Sequence, residues 1–283
     1  MTQITEETFE QILKSFIRSE TIDLSRVSFI DPYGMLALLE IGELCQLEDV
    51  RKTIILPRSA DVLSYLDRMD FFTHARRTFS LEESSGRAAG KPQKSIDSDV
   101  LLEITPIEKS NDIHFIVGKV RDRAQAILAA HLHYDERAIS GFIVALSEVC
   151  QNIIEHSENK GFVGIQKYRF PKLDKNVVKI AVMDIGIGFR RSLSGRFKLR
   201  GDLEAIEKGL LHGASRYEDE GRGHGLAAVR RFITQWNGKL SIRSGTARLS
   251  IVPKWARGRE QEHGLTLFPG AQINILLPEI HSQ

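Results

Sequence analysis

Gly141-Phe-Ile-Val-Ala-Leu-Ser-Glu148-Val-Cys-Gln-Asn152-Ile-Ile-Glu155-His156-Ser157 is the later part of a run, 136–157, that reads as one amphipathic helix. Ile139, Phe142, Ile143, Leu146, Cys150 and Ile153 recur at spacings of three and four and make a single apolar stripe. Glu148 and Asn152 are one turn apart on the opposite face, which Glu155 and His156 continue. A solvated helix face usually carries Lys and Glu pairs. This one sets a carboxylate, an amide and an imidazole in line, groups suited to coordination and proton chemistry. On the helix alone, an ordinary exposed face explains them equally well.

Two later segments shift that balance. The apolar run 176–184 reads as a strand ending in Asp184-Ile-Gly186-Ile-Gly188-Phe189. A carboxylate at a strand end can accept a hydrogen bond from an exocyclic amine, and glycines two and four residues on let a flat ring approach the backbone. Plain turns use the same pattern. Gly221-Arg222-Gly223-His224-Gly225-Leu226 then runs into a helical segment. Exposed backbone N–H groups and a helix N-terminus suit a polyphosphate. The Gly-x-Gly-x-Gly spacing, late in the chain and after no βαβ unit, excludes a dinucleotide fingerprint, and no Gly-Lys-Ser/Thr follows to make a Walker loop.

Taken in order, Glu148-x-x-x-Asn152, Asp184-x-Gly-x-Gly188 and Gly221-x-Gly-x-Gly225 resemble the three nucleotide-binding boxes of the GHKL ATPases, the Bergerat fold. Gyrase, the histidine kinases and the anti-sigma-factor serine kinases belong to that family. The resemblance covers about residues 100–283, and Asn152 to His156 with Gly221 to Leu226 look most like the anti-sigma kinase branch. It implies ATP and Mg²⁺ as cofactors. Asn152 would hold the metal, with His156 beside it, and Glu148 would act as general base. Asp184 would read adenine, Gly186 and Gly188 would admit the base, and Gly221, Arg222, Gly223, His224, Gly225 and Leu226 would wrap the phosphates. Residues 189–220, basic at Arg190, Arg191, Arg196, Lys198 and Arg200, would form a lid. The family often places Thr after the glycine that precedes the last strand; here Gly270 is followed by Ala271, which puts one polar contact to the base in doubt.

The first 80 residues read differently. Thr5-Glu6-Glu7 opens a helix; 21–30 reads as one extended segment, Asp31 to Gly34 as a turn, 35–47 as a helix, 52–56 as a strand and 60–69 as a helix closed by Phe71-Phe72. Asp23-Leu-Ser-x-Val-Ser-Phe-Ile-Asp31-x-x-Gly34 resembles the STAS domain of anti-sigma-factor antagonists. That family's regulatory Ser follows the aspartate, where this chain has Pro32, so the resemblance implies a docking unit without a phosphoswitch. Residues 81–99, rich in Gly, Ser and charge, read as a linker.

The expected organisation is therefore a small STAS-like α/β domain, 1–80, a linker, 81–99, and a Bergerat α/β sandwich, 100–283, with helices on one face of a mixed sheet. Near its end, 240–246 and 247–252 read as a hairpin, 253–269 as an insertion and 271–278 as the last strand. The formal charge of +2 is spread along the chain and implies no nucleic-acid surface. Cys45 and Cys150 sit in apolar helical patterns and read as reduced core residues. No apolar run of about 20 residues is read from the sequence, nor a basic leader at the start, so a cytoplasmic protein without membrane contact is expected. The expected function is an Mg-ATP-dependent protein serine/threonine kinase or ATPase acting on a regulatory partner, with a sigma factor or a STAS-type antagonist as candidates; a homodimer is compatible with it. A non-catalytic ATP-gated binding module is the alternative. A histidine-kinase-like protein is third, since no phosphoacceptor helical hairpin precedes Glu148.

Overall fold

The computed structural model describes residues 2–84, 99–124, 128–129, 132–157, 159–170, 174–214 and 225–280. In the N-terminal unit, β1 (Thr2–Ile4) leads into α1 (Glu6–Arg18), whose start is fixed by a reciprocal cap between Thr5 and Thr8. The expected single extended segment is two strands in different sheets. β2 (Thr21–Asp23) and β3 (Val27–Ile30) are separated by a short turn, and β3 pairs in parallel with β1. The expected turn at Asp31 is the cap of α2 (Pro32–Leu47): the Gly34 amide donates to Asp31 Oδ1 at 2.9 Å, and Pro32 occupies the first helical position, where no N–H is needed. β4 (Lys52–Ile55) and α3 (Ala60–Arg68) follow. Phe71-Phe72 does not close α3 but opens a further helix, α4 (Phe71–Thr78), after Asp70 turns the chain at φ 58°. β5 (Phe79–Glu82) completes a parallel three-stranded sheet, β2-β4-β5.

The second unit runs β6 (Val100–Ile107), α5 (Ser110–Ala124), α6 (Glu136–Asn152), β7 (Gly161–Phe170) and β8 (Lys175–Asp184). Then come α7 (Gly188–Leu193), α8 (Asp202–His212), α9 (Gly225–Gln235), β9 (Lys239–Ile251) and β10 (Gln261–Pro278). Five strands form one sheet in the order β6-β7-β8-β10-β9, with every pairing antiparallel. The hairpin expected at 240–252 is a single strand: Gly245, at φ 61°, bends β9 without reversing it. The reversal comes at 252–260, so most of the expected insertion is the first half of β10. The helix expected over 136–157 is α-helical to Asn152 and continues as one wider π-turn, Ile153–Ser157.

Strand alternation assigns the sheet two faces. Val178, Ile180 and Val182 of β8, with Ile242 and Ile273 of its neighbours, meet the stripe of α6 in one core that also takes in α5, α8 and α9. Glu136–Glu155 is long and apolar enough to cross a membrane by composition, and half of it is buried in the fold as this core helix. The alternate positions, Lys179, Lys239, Ser241, Arg243 and Asn274, have the polar pattern of a solvated face, yet each is nearly fully buried. The N-terminal unit covers them. Ala181, Met183, Phe162 and Phe268 share a second core with α1 and α2. Asp31 pairs with Lys179, Glu6 with Lys239 at 3.1 Å, and Glu10 with Arg243 at 2.5 Å. Buried pairs of this kind add little net stability over apolar packing but fix which surfaces meet, because leaving one partner alone costs about 3–5 kcal/mol.

Candidate functional site

At the C-terminal end of β8, Asp184 is 5% exposed. The Gly186 amide donates to its Oδ1 at 2.7 Å. Burial lifts the carboxyl to about 6, against the lowering pull of that amide, the Ser157 hydroxyl and the Ala271 amide. The Ser157 hydroxyl also lies 3.2 Å from the Asn159 carbonyl oxygen, and its single proton serves one acceptor at a time. The glycines are needed sterically. A Cβ at Gly186 would stand 1.9 Å from the Ser157 carbonyl oxygen, and Gly188 adopts φ 68° with its Cβ position 2.7 Å from Ser244 Oγ.

Glu148 and Asn152 come from α6, whose apolar stripe is locked in the core and aims this polar face outward. The Asn152 side-chain amide donates to the Glu148 backbone carbonyl at 2.8 Å, which leaves Oδ1 as its acceptor end. Burial raises the Glu148 carboxyl from its ordinary value, and the charge of Glu155 adds to the lift. Gly225, at the start of α9, lies against the same carboxyl: a Cβ there would stand 2.2 Å from Glu148 Oε2. The structure thus brings Glu148 and Gly225 together from elements far apart in sequence, with Leu226 buried beside them on α9. His156 falls within the π-turn. Gly221, Arg222, Gly223 and His224 lie outside the described residues.

Part of the segment expected to form a lid is fixed in place. α7 and α8 are helical, and Asp202 at the start of α8 accepts from the Thr246 amide and hydroxyl, both at 2.8 Å. The rest of the expected lid, 215–220, lies outside the described residues. Two contributors escaped the sequence reading. Ser244 donates to the Gly270 carbonyl at 2.6 Å and accepts from the Phe189 amide at 3.2 Å, joining β9, β10 and α7 around Gly188. Ser157 backs Gly186 and accepts from the Ile187 amide at 2.9 Å. The sequence places Ser244 two residues before Thr246 in what reads as a hairpin, where a serine carries no signal of its own. Gly270, at φ 74°, has its Cβ position 2.0 Å from the Asp184 carbonyl oxygen and 2.7 Å from Asp184 Oδ1. Ala271 faces Asp184 in register, so its amide offers a hydrogen bond where the family's Thr would stand.

The residues present fit an adenine nucleotide with its metal. Asp184 is a preorganised acceptor with two side-chain-free glycines after it, and Asn152 offers one neutral oxygen, as suits a hard cation that keeps waters and phosphate oxygens as its other ligands. Residues 139–278 match the model of the histidine kinase-, DNA gyrase B- and HSP90-like ATPase family. They form an ATPase domain of that family. No curated protein matches the chain. In this ATPase domain the matched span begins within α6 and ends with β10, so it contains every strand of the sheet except β6. The first 138 residues, including the whole N-terminal unit, fall outside the match.

Proposed function

We propose that the chain is an Mg-ATP-dependent protein serine/threonine kinase or ATPase of the anti-sigma-factor type, acting in the cytoplasm on a regulatory partner protein. The observation that carries the nucleotide reading is the Asp184 end of β8: a buried carboxyl held by the Gly186 amide, with Gly186 and Gly188 too closely packed to bear side chains. In this reading Asp184 accepts the exocyclic amine of adenine, and Asn152 Oδ1 ligates magnesium. Magnesium, when bound with ATP, neutralises phosphate oxygens. Glu148 takes a proton from the attacking hydroxyl or water, and burial and the charge of Glu155 raise its proton affinity. The Gly221 to Gly225 loop and Leu226 wrap the phosphates beside it, with His156 close to Asn152.

Residues 1–80 are the STAS-like unit in this proposal, and 81–99 the linker to the ATPase unit, 100–283. The unit lies on its own chain's sheet, and α2 is buried at almost every position, so a partner engages other surfaces. A STAS-type antagonist or a sigma factor fits the anti-sigma pattern of the boxes as that partner. Titration calorimetry with Mg-ATP on the folded chain tests the nucleotide reading; no heat of binding would end it. Mass spectrometry of co-purified proteins after incubation with ATP tests the transfer, with a new phosphoserine or phosphothreonine on a partner as the expected product.

A further inference from the structure

Among the described residues, the buried carboxylates that the N-terminal unit sets against the ATPase sheet are matched by cations, with Glu40 the exception. Asp31, Glu6 and Glu10 have Lys179, Lys239 and Arg243, and Glu43 has Lys160 at 2.9 Å. Glu40, one helical turn before Glu43 on α2, is 1% exposed, and neither of its oxygens has a hydrogen-bond partner among the described residues. α2 packs on β7 and β8. Lys160 is already engaged by Glu43, and the next residue, Gly161 of β7, pairs in register with Asp184, which brings this part of α2 to the end of β8; the charges that act on Glu40 are those of Asp184, Glu43 and Lys160. From α4, which packs on the same helix, His74 contributes no cation: burial holds it neutral, and its Nε2 is 3.1 Å from the Ile104 carbonyl oxygen. An isolated carboxylate is not tolerated in such a place; the group keeps its proton instead. Burial and the Asp184 charge act in that direction.

The geometry points to Glu40 as a positioning residue for Asp184: as a neutral acid behind the end of β8 it leaves Asp184 as the one ionised carboxyl of the pair, and its deprotonation at alkaline pH weakens adenine-nucleotide binding. The inference rests on the nucleotide reading of Asp184. Two carboxyls within electrostatic reach titrate as a pair. The first ionisation falls to Asp184, which has backbone amides to stabilise its charge, whereas Glu40 has none. Ionising Glu40 as well sets like charges against each other in a buried region. The repulsion is relieved by a shift of α2 from the sheet, which disturbs the end of β8 and spoils the acceptor that the adenine amine needs.

The test is nucleotide affinity of the full chain by calorimetry from neutral pH to pH about 9.5, for the wild type and Glu40→Gln, which keeps the shape and cannot ionise. Both should bind equally near neutrality. Wild-type affinity should then fall about tenfold or more as pH rises, the effect of about one pKa unit of coupling, while Glu40→Gln stays level. Superimposed profiles would overturn the proposal, as would a variant weakened at every pH, which marks a merely structural role. Melts without nucleotide supply a second readout. The unfolded chain ionises Glu40 above its ordinary carboxylate range while the folded chain keeps the proton. The wild type should therefore lose stability relative to Glu40→Gln as pH rises through that window. A gap that does not change with pH overturns the proton-holding role. Diverging melts in a chain that binds no nucleotide would show that the nucleotide reading had failed, and the positioning role with it.

Discussion

The carboxyl of Glu148 and the backbone of Gly225 are in contact: a Cβ at that glycine would stand 2.2 Å from Glu148 Oε2 and 3.7 Å from Glu148 Cβ. The core helix α6 and the start of α9 are thereby held at one spacing, and the glycine is what permits it. The obstructing atom is the end of a flexible side chain, so Gly225→Ala should fold normally and displace the carboxyl. Melting within a few degrees of wild type, with turnover reduced by about tenfold or more and nucleotide affinity changed much less, is the expected result. Paired melting and steady-state assays check it.

Asp184→Asn should separate binding from stability. The amide turns a donor toward the adenine amine, so Mg-ATP affinity should fall by at least about tenfold in calorimetry. Burial pushes the folded carboxyl up to about 6, from an ordinary 3.8. From pH 3.8 to 6 the unfolded chain ionises Asp184 while the folded chain keeps its proton, so this group's contribution to stability is greatest below that window and is lost as pH rises through it. The variant, which cannot ionise, should therefore be more stable than wild type at pH 7 without nucleotide, by up to about 3 kcal/mol. Urea unfolding at pH 4 and pH 7 measures the difference. In the wild type, nucleotide affinity should fall as pH drops through about 6.

Glu6 is 2% exposed, pairs with Lys239 at 3.1 Å and accepts from Asn274 at 2.5 Å. Glu6→Ala leaves the buried lysine only the more distant, exposed Glu7 at 3.6 Å and should cost up to about 3–5 kcal/mol, whereas Glu6→Leu combined with Lys239→Met should recover most of that loss. Chemical denaturation of the three proteins, read against the wild type, gives both numbers.

Limited proteolysis bears on how the two units relate. The sequence reads 81–99 as a linker, and cleavage there is expected first. Because the N-terminal unit shares a core and three ion pairs, two of them fully buried, with the sheet, the fragments should stay together in gel filtration at neutral pH. Fragments that elute separately would contradict the shared core.

The face of α6 and the Asp184 corner were legible because each is a local pattern: a 3.6-residue period, or glycines at fixed offsets from a carboxylate. The back of the sheet was not. Lys179, Lys239 and Arg243 alternate with apolar residues as on a solvated strand, and only the arrival of Glu6, Glu10 and Asp31 from the N-terminal unit, more than a hundred residues earlier, buries them. Gly245 misled for a related reason. A glycine between apolar runs reads as a turn, but here its positive φ bends β9 while pairing with β10 continues on both sides. Ser244 and Ser157 were invisible because their roles rest on contacts to Gly270 and Gly186 made only in the folded chain.

Catalysis by Glu148 is the central claim, and Glu148→Gln tests it most directly. The change preserves the side chain's shape and removes its ability to take a proton. Nucleotide affinity and turnover should be measured on the same wild-type and variant preparations, with a partner protein present. The account predicts Mg-ATP affinity close to wild type and hydrolysis or transfer lower by about 10²-fold or more. A variant that turns over as fast as an active wild type would contradict it.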